Sequence, residues 1–209
     1  NNKPNWGSNW GAGDIMYADL NGDGEVTSGS KTLNDHVDLK VIGNSYARYN
    51  FGFTVDGSWR GLDFSIFLQG TMKRDYWLDG PYFWGASGDE WQSACFTEHL
   101  DYWTPEHTNA YYPKPYFGNI KKNQEVQSGY LQNAAYLRVK NVQVGYTLPK
   151  SWTKKAAMES VRFYVSGDNL LTWPGISSIF DPETLGGDWG PGKLYPLQRT
   201  LSVGVNVNF

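Results

Sequence analysis

Residues 199–209 read Arg199-Thr200-Leu201-Ser202-Val203-Gly204-Val205-Asn206-Val207-Asn208-Phe209. In an extended chain Leu201, Val203, Val205, Val207 and Phe209 share one side, while Thr200, Ser202, Gly204, Asn206 and Asn208 share the other. About eleven residues at about 3.3 Å each, tilted by about 45°, rise about 25 Å, the height of the apolar band of a transmembrane barrel. The polar row is small and uncharged, which suits a wet lumen, with the valines turned to lipid. A half-buried strand of a soluble sandwich gives the same alternation, so the other strands must decide.

Working backward and forward from this stretch, four more segments alternate. Tyr49, Phe51, Phe53, Val55 and Trp59 oppose Asn50, Gly52, Thr54, Asp56 and Ser58. After a short turn at Arg60-Gly61, Leu62, Phe64, Ile66 and Leu68 oppose Asp63, Ser65 and Gln69, with Phe67 an apolar intruder on the polar side. In residues 135–148, Leu137 and Val139 lie on one parity and Val142, Val144, Tyr146 and Leu148 on the other, so a bulge is expected near Lys140-Asn141. Val161, Phe163 and Val165 alternate with Arg162, Tyr164 and Ser166 in a strand that runs on to Trp173.

The connections alternate too: short after Trp59, long after Trp77, short after Leu148, where 149–160 allow one helical turn, and long after Trp173. Transmembrane barrels have short periplasmic turns and long extracellular loops. On that reading 78–130 and 174–198 are extracellular, and 90–103 allow a short helix. Trp59 and Tyr146 fall at one water interface and Trp77 and Trp173 at the other, as two aromatic girdles. The expected fold is all-β and antiparallel, with about five strands. Membrane barrels need about eight or more, so these strands form the last part of a larger one. The division is 1–45 as an extracellular region and 46–209 as barrel strands and loops.

Composition agrees. The net charge of −3, from 18 basic and 21 acidic residues, gives no nucleic-acid footprint. The 10 Trp, 14 Tyr and 24 Gly fit Gly/aromatic-rich β structure. No apolar run is long enough for a transmembrane helix, and mean hydropathy is −0.55, a signal that strand alternation dilutes. No secretory signal opens the chain, so it is expected to be mature or to begin within a longer protein. Cys95, the single cysteine, excludes an internal disulfide and is expected to be a small buried hydrophobe.

The sharpest local motif is Asp19-Leu20-Asn21-Gly22-Asp23-Gly24-Glu25. Asp19, Asn21 and Asp23 stand at positions 1, 3 and 5 of a calcium loop, Gly24 at the sharp turn, and Glu25 where a backbone carbonyl ligates. Such spacing converges oxygens on a hard cation. Position 12 is Ser30 where an EF-hand has Glu, so a distal carboxylate, Asp38 or Asp35, is needed. The other reading is an Asx/Gly turn held by its own side chains.

Several stretches together resemble SusC/RagA-type TonB-dependent outer-membrane transporters. They are Gly13-Asp14-Ile15 through Gly24, Val41-Ile42-Gly43-Asn44 with Arg48-Tyr49, Tyr136 through Val142, Gly145-Tyr146-Thr147-Leu148-Pro149, Val165 through Thr172, and the final Phe209. The resemblance implies the C-terminal strands of a 22-stranded barrel in the outer membrane of a Gram-negative bacterium. It implies as partners the rest of the barrel and its plug, a SusD-like lipoprotein lid, TonB and outer-membrane lipid, with oligosaccharides or peptides as cargo. It implies that Phe209 is the barrel-assembly signal and favours Asp38 as the distal calcium ligand. The sequence departs from the family by an inserted segment, 27–35.

Catalytic chemistry is not indicated. Asp89/Glu90, Glu98/Asp101 and Glu106 invite a glycosidase pair, yet acidic residues in a loop are ordinarily just solvated. His36, His99 and His107 lack metal-ligand spacing. Trp84, Trp103 and Trp189 are candidates to stack on ligand or pack against a lid, or merely to rigidify the loops. The competing function is a soluble, calcium-dependent carbohydrate-binding β-sandwich.

Overall fold

A computed structural model describes residues 4, 6–85, 94–116, 122–186 and 190–209. Its seven strands are β1 (Tyr49–Trp59), β2 (Leu62–Met72), β3 (Asp75–Trp77), β4 (Leu131–Asn133), β5 (Tyr136–Thr147), β6 (Ser160–Pro174) and β7 (Thr200–Asn208). Helices are single turns: α1 (Pro81–Trp84), α2 (Lys150–Thr153) and two 3-10 turns. No described helix is long and apolar enough to cross a membrane.

Five strands form one antiparallel sheet in the order β1-β2-β5-β6-β7, and β3 pairs with β4. The hairpin β1-β2 turns in two residues, Arg60 at φ 49° and Gly61 at φ 87°. Two positive-φ residues give the backbone twist that tight hairpins favour, and at 61 a Cβ would also meet the Thr147 carbonyl at 2.7 Å. The expected bulge is present: pairing of β2 with β5 slips at Phe67/Leu68, so that Leu68 faces Val139 while Phe67 faces Asn141. Lys140 is the extra residue, and it restores the parity of everything after it.

Register then aligns the faces. Val203 faces Val165, Val165 faces Val144, Val144 faces Phe64, and Phe64 faces Gly57. One row below, Val205, Phe163, Tyr146, Leu62 and Trp59 align in the same way. The result is one continuous apolar face, and it is bare: Val203 is 81% exposed, and Phe53, Phe163 and Leu201 are also open. The opposite face carries Ser202, Ser166, Gln143, Ser65 and Asp56 across one level of the sheet. Among the described residues no second sheet covers the apolar side. A sandwich would need one, so the soluble β-sandwich reading fails. The sheet is an open piece of barrel wall with β1 and β7 as its edges.

The girdles need one change. Trp59 and Tyr146 stand at the short-turn end and Trp173 near the other, exposed on the apolar face. Trp77 does not join them. It lies in β3, outside the sheet, with its ring 6.1 Å from that of Trp84.

Chain contacts divide the molecule into two interleaved units. One comprises Asn1–Asn44, Tyr76–Gln132 and Gly186–Lys193, and the other Ser45–Asp75, Asn133–Leu185 and Leu194–Phe209. The second holds the sheet. The first is built on an aromatic core, in which Phe83, Trp84, Tyr112 and Tyr130 are buried with ring centroids 5.0 to 6.5 Å apart.

Candidate functional site

In the sheet unit the functional surface is the polar face. Arg162, on β6, reaches across β5 to Asp63 on β2, its Nε donating to Asp63 Oδ1 at 3.0 Å. It passes over Gly145, where any Cβ would occupy the guanidinium's place, and the Gln143 side-chain carbonyl accepts from the same guanidinium. Further along β5, Arg138 stands opposite Gln69 and Thr172, both on the polar face. Its side chain is 3% exposed: Nε donates to Thr172 Oγ1 at 2.7 Å, Nη2 to Asp181 Oδ1 at 2.8 Å, and Nη1 lies 2.7 Å from Glu183 Oε1. Lys140 joins from the bulge, 3.0 Å from Glu183 Oε2. A buried guanidinium is tolerated only when it is paired, and here Thr172 and Asp181 accept its hydrogen bonds while Glu183 supplies a second carboxylate in ion-pair contact.

The loop unit contains a second buried ion pair. Lys122 Nζ donates to Asp14 Oδ2 at 2.8 Å, with side-chain exposures of 3% and 2%. The ammonium also donates to the Asn9 carbonyl at 2.9 Å and the Tyr116 hydroxyl at 3.0 Å, and lies over the Tyr116 ring at 4.1 Å. Asp14 accepts from Asn123 Nδ2 at 2.9 Å and from the Gly11 N–H at 2.8 Å. Burial pushes the Asp14 carboxyl up, but Lys122, Asn123, Gly11 and Tyr116 together outweigh it and hold it below its ordinary value. Burial likewise opposes the Lys122 charge, and Asp14 with Tyr116 holds its pKa above the ordinary value. The Tyr112 and Tyr130 phenols are pushed up, chiefly by burial in the aromatic core.

The calcium-type loop is held by its own amides. Asp19 accepts from the Gly22 and Gly24 N–H groups at 2.6 and 2.9 Å, and Asp23 Oδ1 from the Glu25 N–H at 2.8 Å. Asn21 Nδ2 donates to Asp23 Oδ2 at 2.8 Å. Asp38 does close back on the loop, accepting from the Leu20 and Thr27 N–H groups at 2.6 and 2.8 Å, which lowers its pKa. Asp35 instead caps Ser30. The donor set is all oxygen, as a hard cation requires, but a cation would need Asp23 to turn from Asn21 and Glu25. Among the described residues no three His, Cys, Asp or Glu side chains form a metal-holding group.

Trp84 is 5% exposed and serves as core, its ring 5.0 Å from Tyr130 and 5.1 Å from Phe83, which corrects the expectation that it faces ligand or lid. Trp103 is half-buried over Gly13 and keeps part of its ring open. Trp189 lies outside the described residues, as do Asp89 and Glu90. Phe209 is exposed one residue past β7, at the end of its apolar row. Cys95 is exposed, contrary to the expectation of a buried thiol, beside a half-buried Phe96. His99 is structural: its Nδ1 accepts the Phe96 N–H at 2.9 Å, so its Nε2–H donates to the Phe83 carbonyl at 3.1 Å. Asp101 pairs with His107 at 2.8 Å on the surface and is thereby lowered. Trp84, Phe96, Tyr102, Tyr112 and Pro115 line a cavity of about 270 Å³.

Sequence reasoning missed both buried ion pairs. For Arg138 a signal was present, a long cation at a polar-face position of a strand, with the acidic pair Asp181 and Glu183 in the loop that follows the neighbouring strand β6. For Lys122 and Asp14, 108 positions apart, nothing in the spacing pointed to contact.

No protein-family model matches the chain. It is 30% identical over 210 residues to TonB-dependent receptor P3 of Formosa agariphila, a match covering 94% of this chain and 19% of the receptor. It is 23% identical over 197 residues to TonB-dependent receptor SusC of Bacteroides thetaiotaomicron, covering 93% of this chain and 17% of SusC. Among solved structures, the RagAB peptide transporter superposes with a TM-score of 0.58 at 28% identity, over 76% of this chain and 17% of that one. The chain thus spans about a fifth of the length of the curated relatives it matches. These relatives are receptors and transporters of the outer membrane, and not enzymes.

Proposed function

We infer that this chain, a barrel segment homologous to SusC/RagA-type TonB-dependent receptors of the Gram-negative outer membrane, forms adjoining wall strands of a nutrient importer. The observation that carries this is the sheet itself: an uninterrupted, bare apolar face for lipid, and a polar face with Arg162, Asp63, Arg138 and Gln143 for the water-filled interior. The cargo is an oligosaccharide or a peptide; a structural neighbour described as a peptide transporter supports the latter. A SusD-like lipoprotein covers the outer mouth and TonB supplies the energy. Trp103 and Trp189 are the loop aromatics proposed to meet cargo or lid. The test is deletion of the full gene followed by uptake of labelled peptide and oligosaccharide mixtures, with affinity purification of the tagged receptor. Loss of one cargo class and recovery of a lipoprotein support the reading. Undiminished uptake of both classes ends it.

We also propose that a calcium ion completes the loop formed by Asp19, Asn21, Asp23, the Glu25 carbonyl and Asp38, because these supply the oxygen ligands a hard cation prefers and Asp38 already folds back onto the loop. Calorimetric titration of the full-length receptor should give a binding isotherm that Asp19→Ala and Asp38→Ala each abolish. Absence of heat in the parent protein would leave the amide-held turn as the whole account.

A further inference from the structure

We propose that residues 175–185 form a fixed strap folded against the inner wall of the barrel, anchored by Arg138, which narrows the passage instead of projecting outward as an extracellular loop. The proposal takes the polar face as the interior, and so rests on the function inferred above.

The face is settled by register. Arg138 shares its side of the sheet with Gln69 and Thr172, the polar row, whereas Leu137 and Val139 share theirs with Trp173 and Leu171. Asp181 and Glu183, which hold the Arg138 guanidinium, therefore lie on the polar side. The segment is packed, not draped: Ile176, Phe180, Pro182 and Leu185 are all buried. It is tied at both ends. The Gly175 N–H donates to the Ala135 carbonyl at 2.8 Å, and Asp181 accepts, besides Arg138, the Glu183 N–H at 2.9 Å and the Leu197 N–H at 3.1 Å. A guanidinium that donates to Thr172 on the wall and to Asp181 on the segment, with Glu183 in ion-pair contact, fixes position and orientation, because its donors are coplanar and cannot follow a moving loop. A loop meant to sweep through water has no use for an arginine removed from it. Lys140, placed by the bulge, adds a second cation to Glu183, so the bulge serves the anchor as well as the register.

Thiol accessibility in the purified full-length receptor, in detergent and free of any lid, tests this. The background is Cys95→Ser, since Cys95 is exposed. Ser178, exposed on the strap, and Tyr195, 93% exposed beyond it, are each replaced by cysteine. A small methanethiosulfonate should label both positions. A bulky polyethylene-glycol maleimide should label Ser178→Cys about tenfold more slowly than Tyr195→Cys, and adding Arg138→Met should erase most of that difference. Equal labelling by the bulky reagent in the parent overturns an interior location. An unchanged difference after Arg138→Met, in a receptor that keeps its heat-modifiable mobility, overturns the anchor. Should Arg138→Met fail to assemble, Asp181→Ala and Glu183→Ala each remove one contact, and no acceleration in either overturns the proposal equally. The labelling ratio does not depend on cargo, so a receptor that imports neither class yet shows it keeps the strap and loses only the transport reading.

Discussion

Lys122 brings its charge out of water to meet Asp14, and the cost is met by five polar or aromatic partners within one small space. Removing one ion of such a pair strands the other, so Lys122→Met should destabilise the loop unit by about 3–5 kcal/mol, while Lys122→Met with Asp14→Leu recovers much of the loss. Hydrogen exchange at the Ile15 and Asn123 amides of the full-length protein reads it directly. The pH response follows from the signs. A carboxyl held below 3.8 contributes fully above that value and loses its contribution as pH falls through the lowered pKa. An ammonium held above 10.5 contributes fully below that value and loses its contribution only as pH rises beyond it. Protection should therefore be flat across the neutral range and fall first on the acid side. Protection that declined steadily from pH 8 to 5 would exclude Asp14 as its source. None of this was legible from residue order, because an ion pair leaves no periodicity and its partners are joined only by the folded chain. Gly145 is a similar case: its meaning is the Arg162 guanidinium that occupies its missing side chain.

The strands were legible, and for a physical reason: alternation at period two is imposed by the pleat, and lipid on one side enforces it along every strand. The parity change inside β5 could be resolved only by one extra residue, and Lys140 is that residue. Deleting Lys140 should turn Asn141, Gln143 and Gly145 toward lipid and abolish assembly of the barrel, seen as loss of the heat-modifiable band in gel electrophoresis. The two faces of β7 can be weighed against each other. Val203→Arg should cost about 2–4 kcal/mol near the bilayer midplane, whereas Ser202→Arg, on the wet side, should cost close to nothing, as measured by urea unfolding in vesicles. A larger penalty at 202 than at 203 would reverse the assignment of the faces. What alternation did not reveal was where a strand departs from the sheet: Trp77 reads as the continuation of β2, but the chain breaks after Met72 and pairs β3 with β4 instead. The loop 174–198 was equally opaque, since its path depends on Arg138, in a strand already passed.

At the scale of the whole molecule, the sheet has edges and an apolar face that none of the described residues covers. A polypeptide of these 209 residues alone should therefore enter detergent micelles or self-associate, and size-exclusion chromatography in plain buffer should show no monodisperse monomer. A sharp monomer peak would mean that the face finds a cover within the chain. The loop unit is differently made. Phe83, Trp84, Tyr112, Tyr130 and the Lys122–Asp14 pair give it an interior of its own, assembled from segments that enter and leave between strands. A unit with an interior of its own can exchange its aromatic residues as a set without disturbing the alternation that the strands obey.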